Sequence, residues 1–186
     1  MKFLGKLFTV VGVVMLGVVG TLAQDEKTVV NGIMAVTEQS AKLQFTVSEL
    51  NVGNFFRQGP KIAKGLRDIG TSVAQFTTAI GGDDAKVKAR EADAFPDDVA
   101  REIVEVLTGF VQVHQLLLNT IIGKHSLAAQ FFLTAPIAAA LRSLESIVDT
   151  FAFTLLALIP TEQDDASFQL DELTVTFKEA IKTYRS

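Results

Sequence analysis

His114 and His125 are the two imidazoles in a chain of 186 residues that contains no cysteine, so they are the first candidates for acid–base, nucleophilic or metal chemistry. They are eleven positions apart, which is roughly 16 Å along an uninterrupted helix. Sharing a metal would require the break at Gly123 to fold the chain back on itself. Ser126 follows His125 but stands in no G-x-S-x-G turn, the context that exposes a serine nucleophile. The run "GGDDAKVKAREAD" is acidic, yet it lacks the alternating oxygen ligands and closing Glu of a calcium loop, and GGDD is not a phosphate-binding loop. It reads as a solvated charge run. The sequence therefore implies no catalytic residue, no metal and no cofactor.

What chemistry remains is polar recognition inside apolar surroundings. Ser40, His114 and Tyr184 fall on or at the edge of apolar stripes, and buried polar groups need partners. Those partners are a backbone carbonyl, another side chain, or the carboxylate head of a bound ligand.

The elements that position these residues are helical throughout. Apolar residues recur at spacings of three and four, the helical period, and no sustained alternation of period two occurs. One stripe is Ile33, Val36, Ser40, Leu43, Val47 and Leu50, stopped by "NVGN" at 51–54. A second starts near Pro60, with Ile62, Leu66, Ile69, Val73, Phe76 and Ile80, and stops at "GGDD". The charged segment "AKVKAREADAFP" reads as the longest loop.

A third helix opens on Asp97 and Asp98, whose carboxylates suit the positive end of the helix dipole. Its apolar face is predicted as Val99, Ile103, Val106, Phe110, Val113, Leu117 and Ile121, with His114 at the edge. "KHSLAAQFFL" forms a short connecting turn or helix, and a fourth helix restarts at Pro136. Its stripe is Ile137, Leu141, Leu144, Val148, Phe151, Leu155 and Leu158. A fifth follows "TEQDD", where Thr161 and Asp164 approximate a capping box, and carries Leu170, Leu173, Phe177, Ile181 and Tyr184. Five such helices with mostly short connections predict an all-α antiparallel bundle.

The segment "FAFTLLALIP" at 151–160 ends the fourth helix without a charge. Its uncharged window is too short for a bilayer, which needs about 20 apolar residues. Ala152, Phe153, Leu156 and Ile159 lie off the main stripe, so the helix is apolar nearly all round for two turns and is expected to be the central helix, covered by the others. The rival reading is that this surface walls an interior that is not filled, or is exposed to bind. Fourteen Phe, one Tyr and no Trp provide aromatic area with few polar handles. In Phe55-Phe56 and Phe131-Phe132, adjacent rings cannot both face one core from one helix, so one of each pair is expected outside.

The N-terminal "MKFLGKLFTVVGVVMLGVVGTLAQ" has Lys2 and Lys6, an uncharged apolar run, and Thr21-Leu22-Ala23 as a small-x-small cleavage signal. It reads as a secretory signal spanning 1–23, with the domain at 24–186. The competing reading is an uncleaved anchor, because the uncharged run just reaches the length at which a span is possible. Loss of Lys2 and Lys6 with no acid moves the formal charge from -4 to -6. That acidic balance disfavours nucleic acid as a partner. A cysteine-free exported chain must stabilise itself by apolar burial alone, which this length permits.

The stretch "IIGKHSLAAQFFLTAPIAAALRSLESIVDTFAFTLLALIP" followed by "LDELTVTFKEAIKTY" resembles the fungal hydrophobic surface-binding protein family, also described as cell-wall galactomannoproteins. The matching positions are Lys124 and His125 in the connector, Leu141 and Leu144, Pro160, and Phe177, Ala180, Ile181 and Tyr184 in an F-x-x-A-[IV]-x-x-Y ending. The chain departs from the pattern in lacking a Ser/Thr-rich tail and in its richness in Phe. The resemblance implies an exported, all-helical, non-enzymatic protein that adsorbs to hydrophobic surfaces, some members holding a fatty acid within the bundle.

Together these readings predict a secreted or cell-wall protein that binds a long-chain lipid or an apolar surface. The alternative is a cell-surface structural module with a packed core and no ligand. The residues assigned to a ligand are Ser40, His114 and Tyr184 as polar groups, with Phe110, Leu117, Phe132, Leu144, Val148, Phe151, Leu155 and Phe177 as walls.

Overall fold

The computed structural model of the chain describes residues 26–81 and 94–185. The predicted signal at 1–23 and most of the predicted charged loop lie outside these residues. Seven helices follow in order: α1 (Glu26–Ser48), α2 (Phe55–Gln58), α3 (Pro60–Gly81), α4 (Asp97–Gly123), α5 (His125–Gln130), α6 (Thr134–Leu158) and α7 (Gln163–Arg185), with a 3-10 turn at Pro160–Glu162. No strand occurs among the described residues. The five long helices are those read from periodicity, and α2 and α5 are short connectors.

Local chemistry sets most of the boundaries. Leaving α1, Asn51 Oδ1 accepts from Gly53 N at 3.0 Å and Asn54 Oδ1 accepts from Asn51 N at 2.9 Å. These side chains offer the backbone a turn in place of further helix. Pro96, with φ -58° and ψ 155°, caps α4, and its carbonyl accepts from Ala100 N at 2.8 Å. At the far end of α6, Ile159 is pushed out of the helical region before Pro160. The predicted capping box does not form, because Thr161 lies inside the 3-10 turn and α7 continues directly from it.

Direction and neighbourhood follow from side-chain pairings. Ser40 meets His114 and Gln44 meets Thr120, so α1 and α4 run parallel. Gln115 meets Thr176 and Tyr184 meets Ile121, so α4 and α7 are parallel as well. Gly70 abuts Ile147 and Gly81 abuts Thr154, which makes α3 and α6 parallel. Gly32 faces Phe76 and Gly65 faces Leu43, so α1 and α3 are antiparallel. Helices consecutive in the chain thus alternate in direction, as expected, but spatial neighbours are mostly not sequence neighbours. The packing order closes on itself as α1, α4, α7, α6, α3 and back to α1.

This ring corrects the expectation that α6 is a central helix covered by four others. Its principal neighbours are α3 and α7. Ile137, Leu141, Leu144, Val148, Phe151, Leu155 and Leu158 point inward and are buried, whereas Phe153 is 70 % exposed. Five helices sharing one interior each keep an outer face, and α6 uses Phe153 and backbone-bonded threonines on its own. α4 has the length and apolar content of a membrane span, and here it packs against α1 and α7.

Contacts between connecting segments tie the helices together at each end of the ring. At one end Phe55 of α2 stacks on Phe131, with ring centroids 5.2 Å apart. At the other, Phe95 N donates to Leu158 O at 2.8 Å and joins the segment before α4 to the end of α6.

Candidate functional site

The middle of the interior is hydrocarbon except for one pair of side chains. Ser40 of α1 and His114 of α4 are the buried polar side chains in the core, both essentially without solvent exposure. The Ser40 hydroxyl and His114 Nε2 are 2.9 Å apart, and His114 Nδ1 is 2.8 Å from Phe110 O one turn back. A carbonyl oxygen only accepts, so Nδ1 carries the ring proton, Nε2 is the acceptor, and the serine hydroxyl donates to it. Burial without a counter-charge pushes the His114 pKa down to about 4, the bond to the Phe110 carbonyl opposing this in part. His114 is therefore neutral at ordinary pH.

A row of aromatic rings leads away from the pair. The Phe110 ring lies 4.0 Å from the His114 ring and 5.7 Å from Phe151, and Phe151 lies 5.5 Å from Phe76. The row of rings thus runs from His114 through Phe151 of α6 to Phe76 of α3, which packs on Gly32, eight residues along α1 from Ser40. The arrangement offers two neutral, hydrogen-bonding atoms amid apolar walls; His114 Nε2 is placed as a base toward Ser40, but its Nδ1 is held by a backbone carbonyl in place of a carboxylate, and both groups are shut off from solvent. Among the described residues no group of three or more His, Asp or Glu could hold a metal.

The structure brings together Ser40, Phe110, His114 and Phe151 of the predicted residues. Leu117, Leu144, Val148, Leu155 and Phe177 are members of the same buried core. Tyr184 is separate. Near one end of the ring its hydroxyl donates to Ile121 O at 2.8 Å, and its ring meets His125 edge-on at 5.0 Å. Burial raises its pKa well above the usual phenol range. The Nε2 of His125 is buried with no hydrogen-bond partner among the described residues. Phe132 stands apart from the interior group altogether, 89 % exposed at that same end.

Two features escape a reading of the sequence. His114 is at the middle of the buried face of α4, not at its edge, because that face is centred on Leu107, Phe110, Val111, His114 and Leu118. α4 is apolar over most of its circumference, so the phase of its stripe is ambiguous; Val99, Val106 and Val113 are only half-buried. The second feature is an outer groove of about 370 Å³ between α3 and α6, lined by Leu66, Arg67, Gly70, Ala74, Leu144 and Ile147 among others. Gly70 opens it by its lack of a side chain, since a Cβ there would press on Ile147 Cδ1 at 3.1 Å. Small residues one helical turn apart, Gly70 and Ala74, are the signal that could have found it.

Comparison with known proteins gives a fold-level likeness. No family model and no curated protein matches the sequence. Among solved structures, AfMP4p in complex with palmitic acid is similar over 86 % of this chain and 99 % of its own, at a TM-score of 0.74 and 14 % identity. Ligand-binding domain 1 of the Penicillium marneffei MP1 protein, complexed with arachidonic acids, is similar over 86 % and 99 % at a TM-score of 0.74 and 9 % identity. Domain 2 of that protein, complexed with multiple arachidonic acids, covers 88 % and 98 % at a TM-score of 0.71 and 10 % identity. The closed helical ring described above is thus a fold that this chain shares with fungal lipid-binding domains of the MP1 and AfMP4p type.

Proposed function

We propose that the protein is a non-enzymatic, exported lipid binder that holds a long-chain fatty acid or similar single-chain lipid within its helical ring. The observation that carries this reading is the Ser40–His114 hydrogen bond, sealed among apolar side chains in the middle of the ring. The fold likeness to proteins complexed with palmitic and arachidonic acids adds to it. The signal-like N-terminus supports export to the cell exterior or wall.

In this reading the acyl chain inserts among Phe110, Phe151, Leu117, Val148, Leu155 and Phe177, and core side chains shift to admit it. Burial of ten methylenes would contribute about 8 kcal/mol, from which the costs of association and ordering are subtracted. Ser40 Oγ retains lone pairs and can accept from a protonated acid head. An ionised head would instead draw the hydroxyl proton toward itself and leave His114 Nε2 free to take a proton. An anionic head group and a protonated His114 then stabilise each other.

The test is native mass spectrometry of delipidated protein incubated with palmitate and with its methyl ester. We expect discrete lipid adducts, with the acid favoured over the ester by on the order of tenfold, the value of one charge-assisted hydrogen bond. The paired replacement Ser40→Ala/His114→Leu should remove that preference while leaving uptake intact. A clean ligand-free mass at every lipid concentration contradicts the proposal.

A further inference from the structure

Both Phe-Phe pairs split in the same way at the same end of the ring. Phe55 and Phe131 stack on each other inside, while Phe56 and Phe132 point outward, 79 % and 89 % exposed, beside an exposed Val52. The junctions that carry them touch, since a Cβ on Gly59 would meet Leu133 Cδ1.

The backbone at Phe132 is held in an unusual state. Its φ is 56°, the one positive φ at a non-glycine residue among those described. Phe132 N donates to Ala129 O at 3.2 Å and Leu133 N donates to Ala128 O at 2.8 Å. That pair of bonds is the Schellman ending of α5, and Phe132 occupies the left-handed position that glycine normally fills. A phenylalanine there is strained and projects its ring into solvent.

Charge at this end differs from that of the whole chain. Segments 49–61, 121–133 and 182–185 carry Arg57, Lys61, Lys124, Lys182 and Arg185 against Glu49 alone, in a protein of net charge -4. Arg57, Lys61, Lys182 and Arg185 are exposed and form no ion pair among the described residues. Lys124 Nζ caps the carbonyls of Ser48 and Leu50 at 2.9 and 2.7 Å. The opposite end gathers Asp97, Asp98, Glu162, Asp164 and Asp165 against Lys27 and Arg101 among the described residues.

We infer that this end docks on an anionic lipid bilayer, with Phe56, Phe132 and Val52 entering the interface and Arg57, Lys61, Lys182 and Arg185 contacting the head groups. Apolar rings ringed by basic side chains are the combination that interfacial binding requires, and the charge selects bilayers with a negative surface. The acidic far end orients the molecule with its long axis upright. The inference deepens the lipid reading by naming the surface from which an acyl chain would be collected, and the two fail separately.

The experiment is sedimentation with large unilamellar vesicles of phosphatidylcholine alone and of phosphatidylcholine with 30 % phosphatidylglycerol (a choice of about one anionic lipid in three, to set a negative surface potential). We expect binding to the anionic vesicles that weakens with salt and on the order of tenfold less to the neutral ones. Phe132→Gly should raise the melting temperature by roughly 2–4 °C by relieving the left-handed strain, while lowering vesicle binding on the order of tenfold. Arg57→Glu/Lys61→Glu should abolish the preference for anionic vesicles, and Phe153→Ser at the far end should leave it unchanged. Palmitate uptake in mass spectrometry should persist in all of these variants. The inference is overturned by absence of vesicle binding, by binding that Phe132→Gly and the charge reversal leave intact, or by exposed rings that prove to hold two copies together in lipid-free buffer.

Discussion

Acid should unfold this protein partly through a single side chain. His114 is neutral in the fold, with a pKa of about 4, whereas an unfolded histidine titrates near 6.5. The depressed folded value means that the unfolded chain binds the extra proton first. The stability associated with neutral His114 is present in full above pH 6.5 and is lost as pH falls toward 4. Between pH 7.5 and 4.5 the loss works out at about 2.5 kcal/mol, since each tenfold difference in proton affinity between the folded and unfolded chain is worth about 1.4 kcal/mol and most of the window is traversed. Surface carboxylates also titrate there, so the measurement is a difference. Urea denaturation of the wild type at both pH values is compared with Ser40→Ala/His114→Leu, which replaces both hydrogen-bonding partners and leaves neither orphaned. The wild type should lose about 2.5 kcal/mol more than the double variant. A difference under about 0.5 kcal/mol would refute the claim that the imidazole is sealed from water and held neutral.

Two further outcomes follow from the packing. Tyr184→Phe strips the hydroxyl from a buried bond to Ile121 O, an oxygen that keeps Lys124 N as a donor, so stability in urea should fall by about 0.5–1.5 kcal/mol with lipid uptake retained. Gly70→Val places a side chain against Ile147 and Leu144 where α3 meets α6; thermal melts should show a destabilisation of about 1–3 kcal/mol, and the outer groove should close.

How much of this is legible in the sequence varies element by element. The large inward residues of α1, α6 and α7 are readable, because their three-and-four spacing is unbroken, whereas Val29, Ala138, Ala140, Ala166 and Ala180 are buried without being read from it. Ser40 and Tyr184 stand out as polar residues on those stripes, and the splitting of the two Phe-Phe pairs follows from the geometry of adjacent side chains. α4 is misphased by periodicity because Val99, Val106 and Val113 compete with Leu107, Val111 and Leu118 for the inward face, and spacing alone cannot rank them. That ambiguity hides the central place of His114. The ring order is also invisible, since a stripe reveals which face is buried and says nothing of what covers it. For the same reason α6 reads as central: an all-round apolar helix and a ring member with one exposed Phe153 have the same sequence pattern. The left-handed Phe132 carries no signal, as glycine is the residue that marks such a position.

The claim that an acyl chain lies inside the ring beside Ser40 and His114 is tested most directly by isotope-filtered NMR. Uniformly ¹³C-labelled palmitate is added to delipidated, unlabelled protein, and nuclear Overhauser effects from its methylenes are assigned. Contacts to the rings of Phe110, Phe151 and Phe177 are expected. Contacts confined to Ala74 and Ile147 in the outer groove, or no contacts at saturating palmitate, would contradict it.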